Sequence, residues 1–413
     1  MRQLLDQLYS RDAKTSDSAR EQLMFHRTST EEDARAIVEA LSREAPSPRS
    51  AYDRPEGVLL GLIQSPGSQE AMEYFRDHAP AAIMAAWPRL AERDRGFALK
   101  VLAMIGSREG LAFVARTLAE PKGPSDYMVS FALEAIPADT EHVEALFPTL
   151  EPVLDFEDDR AVMVLDFANR LAMAGRLRPH PAATRLDRLQ RVIESEDEGR
   201  YGHAISACYA LASIPGARAL ELLEIASQHP DPLVRMEALY SKVRHGAPDA
   251  AEALAKATLD PTIALQARKY LKELGKAHLI PKEANDRAFL AKAEMISWLT
   301  HPNEFDGPPE SIVLWDRRVL DWPPTKDRRE LFLFHYRYPA WNPEEEPEQG
   351  VGLVGSVTFS LTNQTQPPPE GTPEDAYVAH CLWELRQEGD PRGETLTPEA
   401  TRRLLGFKPK LVS

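Results

Sequence analysis

Residues 231–246 read DPLVRMEALYSKVRHG, and residues 260–275 repeat the same pattern as DPTIALQARKYLKELG. Each stretch opens with Asp and Pro, the residue types that cap a helix and fit its first turn. Each ends on a glycine, which takes a positive φ just past a helix end without a Cβ clash. Gly246 and Gly275 therefore predict two helices, each closed by a turn.

The same ending recurs earlier in the chain. Runs of small and apolar helix-forming residues stop at Gly106, Gly175 and Gly216. Gly216, Gly246 and Gly275 lie about 30 residues apart, which fits two three-turn helices joined by short turns. Apolar residues spaced by three and four, such as Ala219 and Leu223, give the second helix of a unit one buried face. The pattern predicts a repeated helical hairpin.

The opening at residues 231–238 resembles the Asp-Pro-x-Val-Arg-x-x-Ala opening of HEAT repeats. The resemblance is best over residues 199–276, and the second copy departs from it at Ala264, where the repeat has Arg. Two-helix repeats of this kind stack into a superhelix. The resemblance implies a mainly α chain in which residues 1–280 form a HEAT-like, armadillo-like, right-handed α-solenoid.

The composition changes after Gly275, because five of the six tryptophans lie beyond residue 290. Three stretches there are rich in aromatic and β-branched residues, and turn-forming segments separate them. These predicted strands are residues 311–320, 330–338 and 350–361. Consecutive strands of this kind predict an antiparallel three-stranded sheet. The segments 344–346 and 367–369 are predicted to be loops.

Helices flank the predicted sheet. Residues 286–299 carry one apolar face, and Thr372 followed by Pro and two acids is typical of a helix start. Residues 285–390 are therefore predicted to form a small α+β module of order α-β-β-β-α, and residues 391–413 a short terminal helix and tail. We expect the sheet to pack against the end of the helical stack near residues 274–280.

The second predicted strand is apolar on both faces. Alternate residues of a strand face opposite sides, so Phe332, Phe334 and Tyr336 share one face, while Leu331 and Leu333 share the other. The flanking helices suffice to cover one face, and the other needs the solenoid, a loop or a partner. Two interpretations stay open: the aromatic run is core, or part of it is an exposed recognition patch.

On the second interpretation, the residues that bind a partner are Trp315, Trp322, Arg328, Arg329 and Tyr336. The arginines of this region then face an acidic peptide. On the first interpretation, the arginines pair with neighbouring acids of the same chain.

The charge and composition restrict the possible partners. The formal net charge is -15, and acidic residues outnumber basic ones both before and after residue 281, which disfavours nucleic-acid binding. Two cysteines, Cys208 and Cys381, are too few for a disulfide framework and indicate a reducing compartment. No apolar run is long enough to span a membrane, and no secretory pattern is present, so we expect a cytoplasmic protein.

Short motifs that suggest chemistry lack the context that the chemistry needs. Residues 350–355 match a dinucleotide-binding glycine pattern, but a strand rather than a helix is predicted to follow. His380 and Glu384 are spaced for one helix face, yet two ligands are too few for a metal site. Cys381 has no nucleophile signature around it. We predict no catalytic, cofactor-binding or metal-binding residue.

The sequence therefore predicts a non-catalytic scaffold or adaptor that binds another protein on a solenoid surface. The alternative is a HEAT-like enzyme of the bilin lyase type, or another cofactor-handling enzyme. That alternative depends on likeness of fold alone, because no bilin-specific motif is present.

Overall fold

The computed structural model describes residues 1–44, 54–121, 123, 126–137, 139–141, 143–305, 307–340, 347–362 and 371–408. Trp341 and the predicted loops at 344–346 and 367–369 lie outside these ranges, as do the last five residues of the predicted tail. The protein is mainly α, with 62% of its residues helical. It divides into two compact units, Met1–His229 and Pro230–Ser413.

In the described residues of the first unit, every regular element is a helix. Its α-helices are α1 (Arg2–Leu8), α2 (Ala13–Met24), α3 (Glu31–Leu41), α4 (Pro55–Gln64), α5 (Gln69–Ala86), α6 (Glu92–Ile105), α7 (Arg108–Leu118), α8 (Asp126–Glu134), α9 (Phe147–Leu150), α10 (Arg160–Met173), α11 (Leu186–Ile193), α12 (Tyr201–Leu211) and α13 (Ala217–Ala226). Helices α2, α4, α6, α8, α10 and α12 contact one another in succession, and α3, α5, α7 and α9 do the same. This packing of neighbouring helices is compatible with a helical solenoid.

The second unit combines helices with one antiparallel sheet of strand order β1-β2-β3-β4. Its elements are α14 (Pro232–Arg244), α15 (Pro248–Ala257), α16 (Ala264–Glu273), α17 (Arg287–Leu299), β1 (Ser311–Trp322), β2 (Asp327–Arg337), β3 (Gln349–Val354), β4 (Phe359–Thr362), α18 (Pro373–Gln387), α19 (Arg392–Thr395) and α20 (Pro398–Leu404). Consecutive helices from α14 to α17 contact each other. Within the described ranges, no helix is both long and apolar enough to traverse a bilayer. The domain boundaries predicted at 280–285 and 390–391 fall inside this unit and stay predictions.

The turn glycines take the conformation that the sequence pattern predicts. Gly106, Gly175, Gly216, Gly246 and Gly275 all have positive φ, between 69° and 120°. After the last of them, the Lys276 amide donates to the Leu271 carbonyl at 2.7 Å and closes α16. Such left-handed closure is strained for any residue with a Cβ, which explains why glycine recurs there.

The two Asp-Pro openings behave differently. The Asp231 carboxylate accepts from the Val234 amide at 2.9 Å and caps α14, as predicted. Asp260 instead accepts from the Thr262 amide at 2.9 Å and holds a turn, so α16 begins only at Ala264. The same dipeptide therefore marks a helix start in one copy and a preceding turn in the other.

The predicted three-stranded sheet is wrong in strand number, because the third predicted strand is two strands. Gly355 has φ of 111°, and a Cβ there would overlap the carbonyl oxygen of Glu330. The chain reverses after this glycine, and Leu353 of β3 then pairs with Phe359 of β4. The observed order is α-β-β-β-β-α, because the chain reverses after Gly355 and forms a fourth strand.

Both faces of the sheet are covered by helices of the same unit. Met295 and Ile296 of α17 pack on the face of Phe332 and Phe334, and α18 packs on the face of Leu331 and Leu333. The core interpretation of the aromatic run is therefore supported. The expectation that one face needs the solenoid, a loop or a partner is wrong, since α17 and α18 each cover one.

The end of the helical stack packs within the helical part of the second unit. Leu274 and Leu279 pack against Val243 and Ala251. Helix α17 contacts α16 and also covers the sheet. Direct packing of the sheet near residues 274–280 stays a prediction.

Candidate functional site

Two of the five residues predicted to bind a partner are buried. Trp322 is 1% exposed and Tyr336 is 3% exposed. The Trp322 indole N–H donates to Glu384 Oε2 at 2.8 Å, and the Tyr336 hydroxyl shares a hydrogen bond of 2.5 Å with Ser360. Both side chains belong to the core of the module, so neither offers a surface to another protein.

The other three lie at the surface of the sheet. Trp315 is half-buried, with its ring 4.1 Å from that of His335. Arg329 pairs with Asp327 at 2.8 Å, and Arg328 is exposed. Partner binding by Trp315, Arg328 and Arg329 stays a prediction.

Two arginines of β1 form ion pairs with acidic residues of the same chain. Arg317 lies 2.5 Å from a Glu330 oxygen, and Arg318 contacts both Asp316 and Glu374. These pairs match the interpretation in which the arginines neutralise neighbouring acids.

The residues considered for chemistry on α18 are packed side chains. His380 Nε2 lies 3.1 Å from the Val351 carbonyl oxygen, and burial lowers the pKa of this imidazole to about 4. Burial raises the pKa of the Cys381 thiol to about 12, which opposes formation of a nucleophilic thiolate. Glu384 accepts hydrogen bonds from Trp322 and from Ser356. Among the described residues, no group of three or more His, Cys, Asp or Glu is arranged to hold a metal ion.

The glycine pattern at 350–355 serves close packing. A Cβ at Gly350 would overlap the Tyr336 ring, and a Cβ at Gly352 would overlap the sulfur of Met295. After Gly355 the chain continues into β4 and not into a helix, so the element that binds a dinucleotide phosphate does not follow.

A cavity of about 850 Å³ opens in the first unit, on the helices α2, α4, α6 and α8. Its volume lies in the range of ligand-binding clefts. Apolar side chains form much of its wall. They are Met24, Val58, Leu62, Phe97, Met128 and Phe131.

Three glycines inside the helices shape this cavity. A Cβ at Gly57 would stand 3.1 Å from Asp94 Oδ1, and one at Gly96 would press on Met128 at 2.8 Å. At Gly61 the nearest atom is Cε1 of Phe97, at 4.0 Å, so this position borders open space. Glycine inside a helix costs about 0.5–1 kcal/mol relative to alanine. Gly57 and Gly96 therefore let Asp94 and Met128 approach closely, while Gly61 leaves open space, each at a cost in helix stability.

Two apolar residues at the end of α2 are exposed. Met24, which lines the cavity, is 69% exposed, and the next residue, Phe25, is 88% exposed. Exposed apolar groups beside a cleft mark interaction sites, and methionine adapts its shape to different partners. Met24 therefore extends the apolar wall of the cavity to the protein surface.

Two buried carboxylates lie at this part of the unit. Asp94, in the first turn of α6, lines the cavity and is 7% exposed, and Glu56 is 2% exposed. In the described part of the chain, neither Asp94 Oδ2 nor Glu56 Oε2 has a hydrogen-bond partner. Burial raises the pKa of Asp94, and the charge of Glu56 raises it further, while Arg54 and Arg93 oppose the shift.

None of these cavity residues was singled out from the sequence, although the spacing of Gly57 and Gly61 inside one helix is a usable signal. Two small residues four apart leave a gap on one helix face.

No protein-family model and no curated protein matches this chain.

Proposed function

We propose that this protein is a non-catalytic binding protein that holds a segment of another protein in the cavity on α2, α4, α6 and α8. The observation that carries the proposal is the apolar cavity of about 850 Å³, whose wall includes the exposed side chain of Met24. Apolar grooves between helices are a recurring mode of peptide recognition.

The helical unit around this cavity is proposed to be a HEAT-like, right-handed α-solenoid that acts in the cytoplasm. The succession of contacts from α2 to α12 and the recurring turn glycines support this proposal. Such repeats present extended binding surfaces. The buried thiols Cys208 and Cys381 fit a reducing compartment.

Replacement of Gly61 by methionine tests the proposed site. The new side chain enters the open space of the cavity, while the loss of a helix-interior glycine stabilises α4 by about 0.5–1 kcal/mol. We expect capture of a partner from lysate on the immobilised full chain to fall at least about tenfold. Quantitative mass spectrometry of the captured proteins measures this change.

Gly202→Met is the matched control, because Gly202 is exposed on α12 and nothing lies within 4 Å of an added Cβ. This control is expected to capture the partner as the wild type does. Equal capture by Gly61→Met and the wild type would refute the proposed site.

A second candidate function is the binding of a small organic cofactor by a HEAT-like enzyme. The volume and the apolar wall of the cavity favour it, since small-molecule sites share both properties. A chromophore seen in the absorbance spectrum of the purified protein, and lost on Gly61→Met, distinguishes this candidate from protein binding.

A further inference from the structure

The feature that distinguishes this cavity from a plain apolar groove is the side chain of Asp94. It lines the cavity, is 7% exposed, and its Oδ2 accepts no hydrogen bond from any described residue. A buried carboxylate without a partner costs free energy, which a donor with positive charge recovers. The site is therefore incomplete in its hydrogen bonding.

No described residue supplies that donor, although two arginines also line the cavity. Arg54 Nη1 donates to the Arg89 carbonyl oxygen at 3.3 Å, and its Nε has no partner among the described residues. Arg93 precedes Asp94 in the chain, and its charge, like that of Arg54, lowers the pKa of the Asp94 carboxyl. Glu56 is a second buried acid whose Oε2 has no described partner, but it is not part of the cavity lining. Asp94 is thus the buried acid that a donor in the cavity would meet.

We infer that the cavity takes a lysine or arginine side chain of the bound protein segment, with the charged group at Asp94. This inference rests on the proposed function. Apolar neighbours of that side chain pack on Met24, Leu62 and Phe97 of the cavity wall. The aliphatic stem of a basic residue suits such a wall, and its head forms a charge-assisted hydrogen bond. The carboxylates of an acidic segment would instead leave Asp94 without a donor.

Selection of a random peptide library, displayed on phage, against the full chain tests the inference. Enriched peptides are expected to carry a lysine or arginine flanked by apolar residues. Asp94→Asn keeps the shape of the side chain and removes its charge, so it is expected to weaken these peptides about 10- to 100-fold. Asp249→Asn is the matched control, because Asp249 is also an acid in the first turn of a helix but is exposed, on α15.

The possible results separate this inference from the proposed function. Peptides that lose binding on Gly61→Met but lack a basic residue, or bind Asp94→Asn as tightly as the wild type, overturn the inference and leave the proposed function standing. Peptides rich in acidic residues overturn the inference in the same way. If no selected peptide loses binding on Gly61→Met, both the inference and the proposed site fail. Thermal unfolding of each variant establishes that it is folded.

Discussion

Trp322→Ala is expected to lower the free energy of unfolding of the second unit by about 3–5 kcal/mol, because a large buried ring leaves a cavity. The ring packs among residues of β2, β3 and α18, including Leu331, Val351 and Tyr377. The substitution also removes the indole donor of Glu384 Oε2, which leaves a buried carboxylate with one partner fewer. Urea unfolding of the full chain, followed by far-ultraviolet circular dichroism, measures the change.

Trp315→Ala is the comparison, because Trp315 is half-buried at the surface of the same strand. Its expected effect is smaller, about 1–2 kcal/mol, because a half-buried ring at the edge of the same core loses fewer contacts. Trp322→Phe keeps one aromatic ring but removes the indole N–H and part of the ring volume, with an expected loss of about 1–3 kcal/mol. An unchanged unfolding curve for Trp322→Ala would show that this side chain is not part of the core.

Glu237→Gln is expected to remove a pH dependence of stability from the second unit. Glu237 on α14 is 5% exposed and accepts a hydrogen bond from the Tyr270 hydroxyl of α16. Burial raises the pKa of this carboxyl from 4.5 to about 7, and the charge of Glu273 adds to the shift. The carboxyl is therefore neutral in the folded chain at a pH where the unfolded chain has released its proton.

The direction of the effect follows from this raised pKa. The folded state binds more protons than the unfolded state between pH 4.5 and 7, so stability falls as the pH rises through that window. The loss amounts to about 3 kcal/mol above pH 7. Glutamine stays neutral at every pH, so the variant is expected to exceed the wild type by about 3 kcal/mol at pH 8 and by less than about 1 kcal/mol at pH 5.

Urea unfolding at pH 5 and pH 8, followed by tryptophan fluorescence, measures this difference, because five of the six tryptophans lie in the second unit. Glu252→Gln is the control, since Glu252 is exposed on α15 and carries the same charge. The same pH dependence in Glu237→Gln and in the wild type would contradict a buried, protonated Glu237.

Local signals in the sequence predict the helices and their ends well. A positive φ after a helix end restricts the residue to glycine, so the turns at Gly175 and Gly246 can be identified from the sequence alone. The capping residue Asp231 is identified for a similar reason, since its side chain satisfies an amide of its own helix.

The sequence predicts the sheet less completely, because a single irregularity in the backbone changes the number of strands or the face on which a side chain lies. A bulge between Leu314 and Asp316 shifts the alternation of β1. Simple alternation would place Trp322 on the face of Ile312, but after the bulge Trp322 pairs with Asp327 and faces α18. After the bulge, Trp322 therefore lies on the α18 face of the sheet instead of the α17 face.

The cavity is the part that sequence patterns predict worst. Its wall combines residues of four helices that are far apart in the chain, and its open space depends on what is missing at Gly61. Periodicity identifies the buried face of each helix but gives no distance between helices. The burial of Asp94 follows from that distance and from the glycine opposite it, Gly57.

Hydrogen–deuterium exchange of the full chain, with and without a bound partner or selected peptide, locates the binding surface. If the cavity is that surface, the amides of α4, α6 and α8, residues 55–64, 92–105 and 126–134, exchange more slowly on binding. Gly61→Met is expected to abolish this slowing. Slower exchange confined to β1 and β2, around Trp315 and Arg328, with α4 and α6 unchanged, would refute the proposed cavity site and place the binding surface on the sheet.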